Sequence, residues 1–176
     1  MLELILGGAR SGKSAFAEKL AMDHAGPVTY IATAQPLDAE MQARIESHRA
    51  QRPTHWQLQE TPLGLARTLA CIDQPDQLML VDCLTLWVTN ALLAEETGST
   101  WASEYNELLA LLDSPIAGRV LLVSNEVGQG ITPIEALSRR FIDETGRLHQ
   151  ALATRADRVW WVVAGLPQCL KGETDA

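Results

Sequence analysis

The sequence predicts an α/β domain of three layers, in which helices cover both faces of a mainly parallel β-sheet. Two observations lead to this prediction. Several short apolar runs are continuous rather than alternating, as expected for strands that are covered on both faces. Segments with helical spacing separate them, and such alternation of strands and helices is typical of parallel sheets. The 176 residues, 47% of them hydrophobic and 20% charged, fit one folded domain over residues 1–176.

The apolar runs are the predicted strands, in chain order Leu2–Leu6, Val28–Ala32, Leu78–Val81, Val120–Val123 and Val159–Val163. The segments that follow them are predicted to be helices: Ser14–His24, Asp38–Arg52, Leu63–Ala70, Thr85–Leu93, Glu104–Leu112 and Ile134–Ala156. The first helix stops at Gly26-Pro27, whereas the second starts at the capping residue Asp38 and ends before Pro53. The segment Gln51–Glu60 is predicted to be an ordered connection. Glu95–Ser103 is predicted to be a solvated loop, and Lys171–Ala176 a solvated terminus.

Charge and cysteine content restrict the class of protein. The chain has 14 Lys and Arg against 22 Asp and Glu, a net charge of −8. This balance argues against a general nucleic-acid or anionic-membrane binder, because a phosphate backbone needs a basic surface. The three cysteines, Cys71, Cys83 and Cys169, lack metal-type spacing and are expected to be reduced, buried thiols, which fits the cytoplasm. The longest apolar stretch, Val159–Leu166, is shorter than the ~18–20 residues of a membrane-spanning helix.

The strongest motif is the segment Gly7-Gly8-Ala9-Arg10-Ser11-Gly12-Lys13-Ser14, which matches G-x-x-x-x-G-K-[ST]. A predicted strand precedes it and an amphipathic helix follows, as this motif requires. Its glycines let successive backbone N–H groups point at phosphate, and the helix N-terminus adds partial positive charge. Lys13 would reach the β- and γ-phosphates, and the Ser14 hydroxyl would coordinate Mg²⁺. The sequence therefore predicts a P-loop NTPase-like domain that binds a nucleoside triphosphate.

A second Mg²⁺ ligand is predicted at Asp82, which directly follows the run Leu78–Val81. Cys83 and not a glutamate comes next, so the usual water-activating base of motor-type ATPases is missing. The strand end Ser124-Asn125-Glu126 lacks the guanine-reading N-K-x-D sequence of signalling GTPases. Asn125 and Glu126 could line the site, with Glu126 helping to deprotonate a substrate hydroxyl, or could form a capped turn.

His48 is the candidate nucleophile, because a neutral imidazole nitrogen attacks phosphorus well. It lies near the end of the predicted helix Asp38–Arg52 on the face turned toward the body, with Arg44, Arg49 and Arg52 close enough to neutralise phosphates. A half-buried or surface structural histidine is the alternative reading. The other histidines lack comparable surroundings and are predicted to be structural: His24, His55 and His149.

Six motifs in one order resemble a known family from the first strand to about Gly165. They are Gly7–Ser14, Tyr30-Ile31-Ala32-Thr33-Ala34, Arg44-Ile45-x-x-His48-Arg49-x-x-Arg52-Pro53-x-x-Trp56, Asp82-Cys83-Leu84-Thr85-x-x-Val88-Thr89-Asn90, Asn125-Glu126-Val127-Gly128-x-Gly130-Ile131 and Gly146-x-x-x-Gln150-x-Leu152-Ala153. The family is the bifunctional adenosylcobinamide kinase / adenosylcobinamide-phosphate guanylyltransferase of cobalamin biosynthesis.

The resemblance implies two reactions with Mg²⁺ as cofactor. The γ-phosphate of ATP or GTP passes to the aminopropanol hydroxyl of adenosylcobinamide, a step that needs Lys13. GTP then donates GMP to the new phosphate and releases pyrophosphate, through a histidine–GMP intermediate that carries over to His48. Two alternatives remain: a P-loop kinase of a single activity, with His48 structural, and a nucleotide-gated binding module.

The resemblance also implies nucleotide-binding residues beyond the phosphate loop and an oligomeric state. These residues are Ala32, Thr33, Ala34, Arg49, Ala50, Gln51, Arg52, Glu60 and Asp82. The implied oligomer is a homotrimer, in which the corrinoid could bind between subunits.

Overall fold

The computed structural model describes residues 1–35, 42, 53–94 and 100–173. Its strands are β1 Leu2–Gly7, β2 Val28–Ala32, β3 Gln57–Glu60, β4 Leu78–Asp82, β5 Arg119–Asn125, β6 Arg158–Val163 and β7 Leu166–Lys171. Its helices are α1 Lys13–Met22, α2 Leu65–Ile72, α3 Leu84–Ala94, α4 Trp101–Leu112 and α5 Ala136–Arg155.

The strands form one seven-stranded sheet in the order β3-β2-β4-β5-β1-β6-β7. Every neighbouring pair is parallel except β6 and β7, which are antiparallel. The parallel strands therefore end at one edge of the sheet, where ligands of open α/β sheets bind. At this edge Gly7 is level with Asn125, and Ala32 is level with both Asp82 and Glu60.

Two apolar clusters cover the two faces of the sheet. Successive residues of β1 show this directly, because Leu4 packs into one cluster and Ile5 into the other, and both are fully buried. The Ile5 side includes Ala17 of α1, and the Leu4 side includes α3 and α5 through Trp87 and Leu148. The predicted three-layer α/β architecture and its mainly parallel sheet are confirmed.

The structure corrects the prediction at two strands. Part of the predicted connection Gln51–Glu60 forms β3, an edge strand whose side chains are all exposed. Most of β7 is likewise exposed, and its last residue, Lys171, was expected to be in a solvated terminus. Both strands are held by backbone pairing at or near the ends of the sheet, so their sequences lack the apolar run on which the prediction depends.

Helix positions also differ from the prediction in detail. The expected loop Glu95–Ser103 overlaps the start of α4 at Trp101, which is buried and whose indole N–H donates to Glu144 over 2.8 Å. The predicted helix Asp38–Arg52 lies outside the described residues, apart from Gln42. Within the described part of the chain, no helix combines the length and the apolar character that are needed to cross a membrane.

Candidate active site

The phosphate loop joins the end of β1 to the start of α1. Ser11 donates its N–H to the Gly8 carbonyl over 3.2 Å, and Phe16 donates to the Gly12 carbonyl over 2.9 Å. Gly12 holds φ 94°, a left-handed conformation that glycine adopts without strain. No side chain of the described residues caps the N-terminus of α1. A helix start with open N–H groups and a left-handed glycine is an anion-binding geometry.

Two polar side chains of the loop are buried against it. Lys13 is 8% exposed and its ammonium donates to the Gly8 carbonyl over 3.2 Å. The Ser11 hydroxyl is buried and has no hydrogen-bond partner among the described residues. An unsatisfied buried hydroxyl costs about 1–3 kcal/mol, which a phosphate oxygen as acceptor would relieve. Ser14 is half-buried in the first turn, whereas Ala9 and Arg10 are exposed at the tip of the loop.

The turn between β6 and β7 packs directly on this loop. The Gly165 N–H donates to the Ser11 carbonyl over 2.8 Å. A Cβ at Gly12 would lie 3.0 Å from the Gly165 Cα, and one at Gly7 would lie 2.6 Å from the Val162 carbonyl oxygen. These glycines therefore serve close packing, in addition to the phosphate contact that the sequence predicts for them. Sequence reasoning missed Gly165, although the glycine directly after the last apolar run is a turn signal.

Asp82 lies at the end of β4, half-buried, where its Oδ2 accepts a hydrogen bond of 3.0 Å from the Tyr30 hydroxyl. Next to it, the Thr33 hydroxyl donates to the Cys83 carbonyl over 2.7 Å and accepts the Cys83 N–H over 2.9 Å. Asn90 of α3 donates to the Thr33 carbonyl over 2.8 Å. The ends of β2 and β4 are thus tied into one rigid unit, in which Thr33 is fully buried and Ala32 and Ala34 are half-buried.

Cys83 is buried as expected, whereas Cys71 is exposed and Cys169 is half-buried, so the expected burial is wrong for these two. Burial first, and then the adjacent Asp82 carboxylate, raise the pKa of the Cys83 thiol above its ordinary value. The thiol is therefore protonated near neutral pH, and Cys83 does not act as a nucleophile.

The strand order places the predicted nucleotide-binding residues at different distances from the phosphate loop. Glu60 is exposed at the end of β3, and four strand spacings separate β3 from β1. At about 4.8 Å per spacing this places Glu60 on the order of 19 Å from the phosphate loop. Asp82 is two spacings from Gly7. His48, Arg49, Ala50, Gln51 and Arg52 lie outside the described residues.

Glu126 connects β5 to the phosphate loop. Its N–H donates to the Gly7 carbonyl over 3.0 Å, and its Oε1 accepts the Gly128 N–H over 2.6 Å. Its other oxygen, Oε2, lies 3.8 Å from Nδ1 of His149, whose Nε2 is bonded to the Ser124 hydroxyl over 2.7 Å. Burial lowers the pKa of His149 and outweighs the opposing influence of Glu126. His149 is therefore a neutral, buried partner of Glu126 near pH 7, which its sequence position does not reveal.

The described residues contain no group of three or more His, Cys, Asp or Glu side chains able to hold a metal ion by themselves. A magnesium ion does not require one, because it keeps several waters and binds one or two protein oxygens together with substrate phosphates. Ser14 and Asp82, the two residues predicted as ligands, each carry a side-chain oxygen, in the first turn of α1 and at the end of β4.

Comparisons with known proteins agree with this geometry. The family model described as cobinamide kinase / cobinamide phosphate guanyltransferase matches residues 3–170. The bifunctional adenosylcobalamin biosynthesis protein CobP of Pseudomonas aeruginosa is 53% identical over 173 residues, which cover 98% of this chain and 99% of that protein. The bifunctional adenosylcobalamin biosynthesis protein CobU of Salmonella typhimurium is 42% identical over 179 residues, with 94% and 97% of the two chains covered.

Among solved structures, an ATPase from the type III secretion system of pathogenic bacteria superposes with a TM-score of 0.60 at 11% identity. The superposition covers 96% of this chain and 56% of that one. At this identity the likeness concerns the fold alone, and it agrees with the predicted P-loop NTPase-like fold. The family model and the two relatives span nearly the whole chain. The chain therefore belongs to the cobinamide kinase / cobinamide phosphate guanyltransferase family.

Proposed function

We propose that the chain performs both reactions of its family, on adenosylcobinamide as acceptor and with ATP or GTP as phosphate donor. The observation that carries this proposal is the uncapped, glycine-lined start of α1, with Lys13 and the unsatisfied Ser11 hydroxyl beside it. It occurs in a chain that matches the family model over residues 3–170. The runner-up, a kinase of a single activity, requires the same loop and differs only in the role of His48.

In the kinase step the acceptor hydroxyl oxygen forms a bond to the γ-phosphorus, and the bond from that phosphorus to the β,γ-bridging oxygen breaks. The nucleoside diphosphate leaves and the hydroxyl proton passes to a base. Catalysis here consists of positioning and charge neutralisation. Backbone N–H groups of Gly7–Ser14 hold the phosphates, and the Lys13 ammonium exchanges the Gly8 carbonyl for their oxygens. We assign the role of this base to Glu126, whose backbone N–H is bonded to the Gly7 carbonyl.

In the transfer step a His48 nitrogen attacks the α-phosphorus of GTP, and pyrophosphate leaves. The acceptor phosphate then attacks the same phosphorus and displaces the imidazole, which gives a diphosphate bond. Imidazole suits this exchange because it is a good nucleophile when neutral and a good leaving group when protonated. Arg49 and Arg52 neutralise the phosphates, and Ala50 and Gln51 complete this stretch of the nucleotide site.

Mg²⁺ would be held by Ser14, Asp82 and phosphate oxygens, and it supplies neutralisation of the charge on the phosphates. The remaining nucleotide contacts are assigned to the strand ends, namely Ala32, Thr33, Ala34 and Glu60. Their distance from the phosphate loop suits a nucleotide bound across the edge of the sheet, with its α-phosphate away from the loop. We further propose a homotrimer in the cytoplasm, on the resemblance of the motifs.

The test is the intact mass of the protein after incubation with GTP and Mg²⁺ without corrinoid. The expected result is a gain of one GMP that is lost in mild acid and is absent in His48→Ala. His55→Ala is the matched control, since His55 is exposed and has no role in the proposal. A chain that binds GTP without this gain, yet phosphorylates adenosylcobinamide, would be the single-activity kinase. A chain that binds GTP and modifies no corrinoid would be a binding module.

A further inference from the structure

A cavity of about 370 Å³ lies between α3, α5 and the segment 127–133. Its walls are apolar, formed among others by Leu93, Val127 and Phe141, except for the hydroxyl-bearing residues Thr89 and Ser138. None of the described residues that line it is charged. Concave, mostly apolar pockets of this size with a few polar groups are the usual form of a small-molecule site.

Hydrogen bonds connect the walls of this cavity to the phosphate loop. Val127 directly follows Glu126, whose N–H is bonded to the Gly7 carbonyl. Thr89 donates to the carbonyl of Thr85 one turn earlier in α3, and the Thr85 hydroxyl accepts a bond of 2.7 Å from Asn125 at the end of β5. The cavity thus adjoins the carboxyl edge of the sheet. It is formed by helices of the face opposite to α1.

Apolar residues that line the rim of the cavity, or that lie next to lining residues in the chain, are unusually exposed. Ile131 and Ile134 are each 96% exposed, and Leu137 is 51% exposed. The Arg139 guanidinium donates to the carbonyl oxygens of Pro133 and Ile134, which fastens this segment to the start of α5. Single exposed apolar residues are ordinary, but a group of them around a cavity marks a binding surface.

The phosphate loop and the cavity differ in charge, as the binding of two different substrates requires. A triphosphate needs cations and open N–H groups, which the phosphate loop supplies and the cavity lacks. The second substrate class of the proposed function is a corrinoid, a flat macrocycle whose periphery consists of methyl groups and uncharged amide arms. Such a periphery fits apolar walls with two hydroxyl groups, and the cavity volume suits one edge of the macrocycle rather than the whole of it.

We propose that this cavity is the corrinoid-binding site, in which one edge of adenosylcobinamide inserts between α3 and α5 so that its aminopropanol arm points toward Glu126 and the phosphate loop. The assignment rests on the proposed function, because it takes the acceptor from there. Ile131 and Ile134 then contact the part of the macrocycle that stays outside the cavity.

The test compares the Kd of adenosylcobinamide in equilibrium dialysis, followed by its visible absorbance in the dark. The variant Leu137→Glu places a charge at the rim, and Leu93→Glu, at a residue 50% exposed, does so from α3. Met22→Glu is the matched control, since Met22 is 57% exposed at the far end of α1. Because each side chain is at least half exposed, the variants are expected to fold, which circular dichroism checks.

The expected result is a Kd raised about tenfold or more in both rim variants, unchanged in Met22→Glu, with GTP binding unaltered in all three. If the parent protein is active and the rim variants bind corrinoid with unchanged affinity, the assignment of the cavity as the corrinoid site is wrong, and the proposed function remains intact. A parent protein that neither binds nor modifies adenosylcobinamide would overturn both. A change of native mass in the rim variants without a change in corrinoid affinity would assign the surface to a second copy of this chain and overturn the proposal.

Discussion

The phosphate loop and the cavity beside it are built by opposite means. The loop presents mainly backbone N–H groups, which its glycines bring into close contact with the chain around them, and it adds the side chains of Lys13 and Ser11. The cavity is lined by residues from three separate segments, namely α3, α5 and 127–133. A site made of backbone groups can be recognised in the sequence from a short run of glycines. A site made of side chains from distant segments forms only when the chain folds. Substitutions in the loop and at its boundary with the cavity separate the two regions, and a substitution in the buried core beside them has the smallest expected effect.

Lys13→Ala removes a functional group of the phosphate loop and does not change the cavity. Loss of the ammonium removes the charge beside the phosphates, so we expect kinase and guanylyl transfer each to fall by about 10²–10³-fold. Corrinoid affinity should not change. Lys19→Ala is the control, because Lys19 is exposed in the last turn of the same helix. Equal losses in the two variants, or a loss confined to one reaction, would contradict a shared triphosphate site.

Glu126→Gln tests the boundary between the two regions. The amide oxygen can still accept the Gly128 N–H but cannot take up the hydroxyl proton, so the turn should persist while kcat of the kinase step falls by about 10²-fold. GMP incorporation from GTP and the Kd of corrinoid should remain as in the parent protein. A kinase rate that survives would make Glu126 the capped turn that the sequence left as the alternative. A parallel loss of corrinoid binding would indicate a structural role.

His149 gives the smallest effect, on stability alone. Burial lowers its folded-state pKa below the ordinary value of 6.5, so the unfolded chain takes up a proton first as the pH falls. Its contribution to stability is complete above about pH 6.5 and is lost as the pH falls toward the lowered folded-state pKa. Urea unfolding between pH 7.5 and pH 5 should show a loss on the order of 1 kcal/mol that His149→Gln lacks. His55→Gln, at an exposed histidine, should keep the full loss.

Sequence reasoning succeeded where one segment contains the whole signal. The fold class followed from apolar runs that are buried on both faces, and the phosphate loop from eight consecutive residues. It failed at β3 and β7, because exposed edge strands are held by backbone pairing that no side-chain pattern encodes. The cavity was not predicted from the sequence, for a different reason. Val127 stands in a motif that was interpreted through the polar residues before it, Phe141 is an apolar residue of α5, and only the folded chain brings the two together.

His149 and Gly165 illustrate the same limit within the site. Both touch residues that the sequence had singled out, Glu126 and Ser11, but the first pair is separated by a helix and the second by nearly the whole chain. Contacts between such distant positions depend on strand order. Because β1 lies between β5 and β6, the start of the chain acquires neighbours from its last third.

The bond between Gly165 and Ser11 has a consequence for the order in which the protein is made. Synthesis proceeds from the N-terminus, so the phosphate loop leaves the ribosome long before the turn that supports it. Both strands beside β1, and the turn after β6, belong to the last third of the chain. The first motif of the site to emerge is therefore among the last to acquire its final shape, since the native contacts of the loop cannot form until the turn after β6 has left the ribosome.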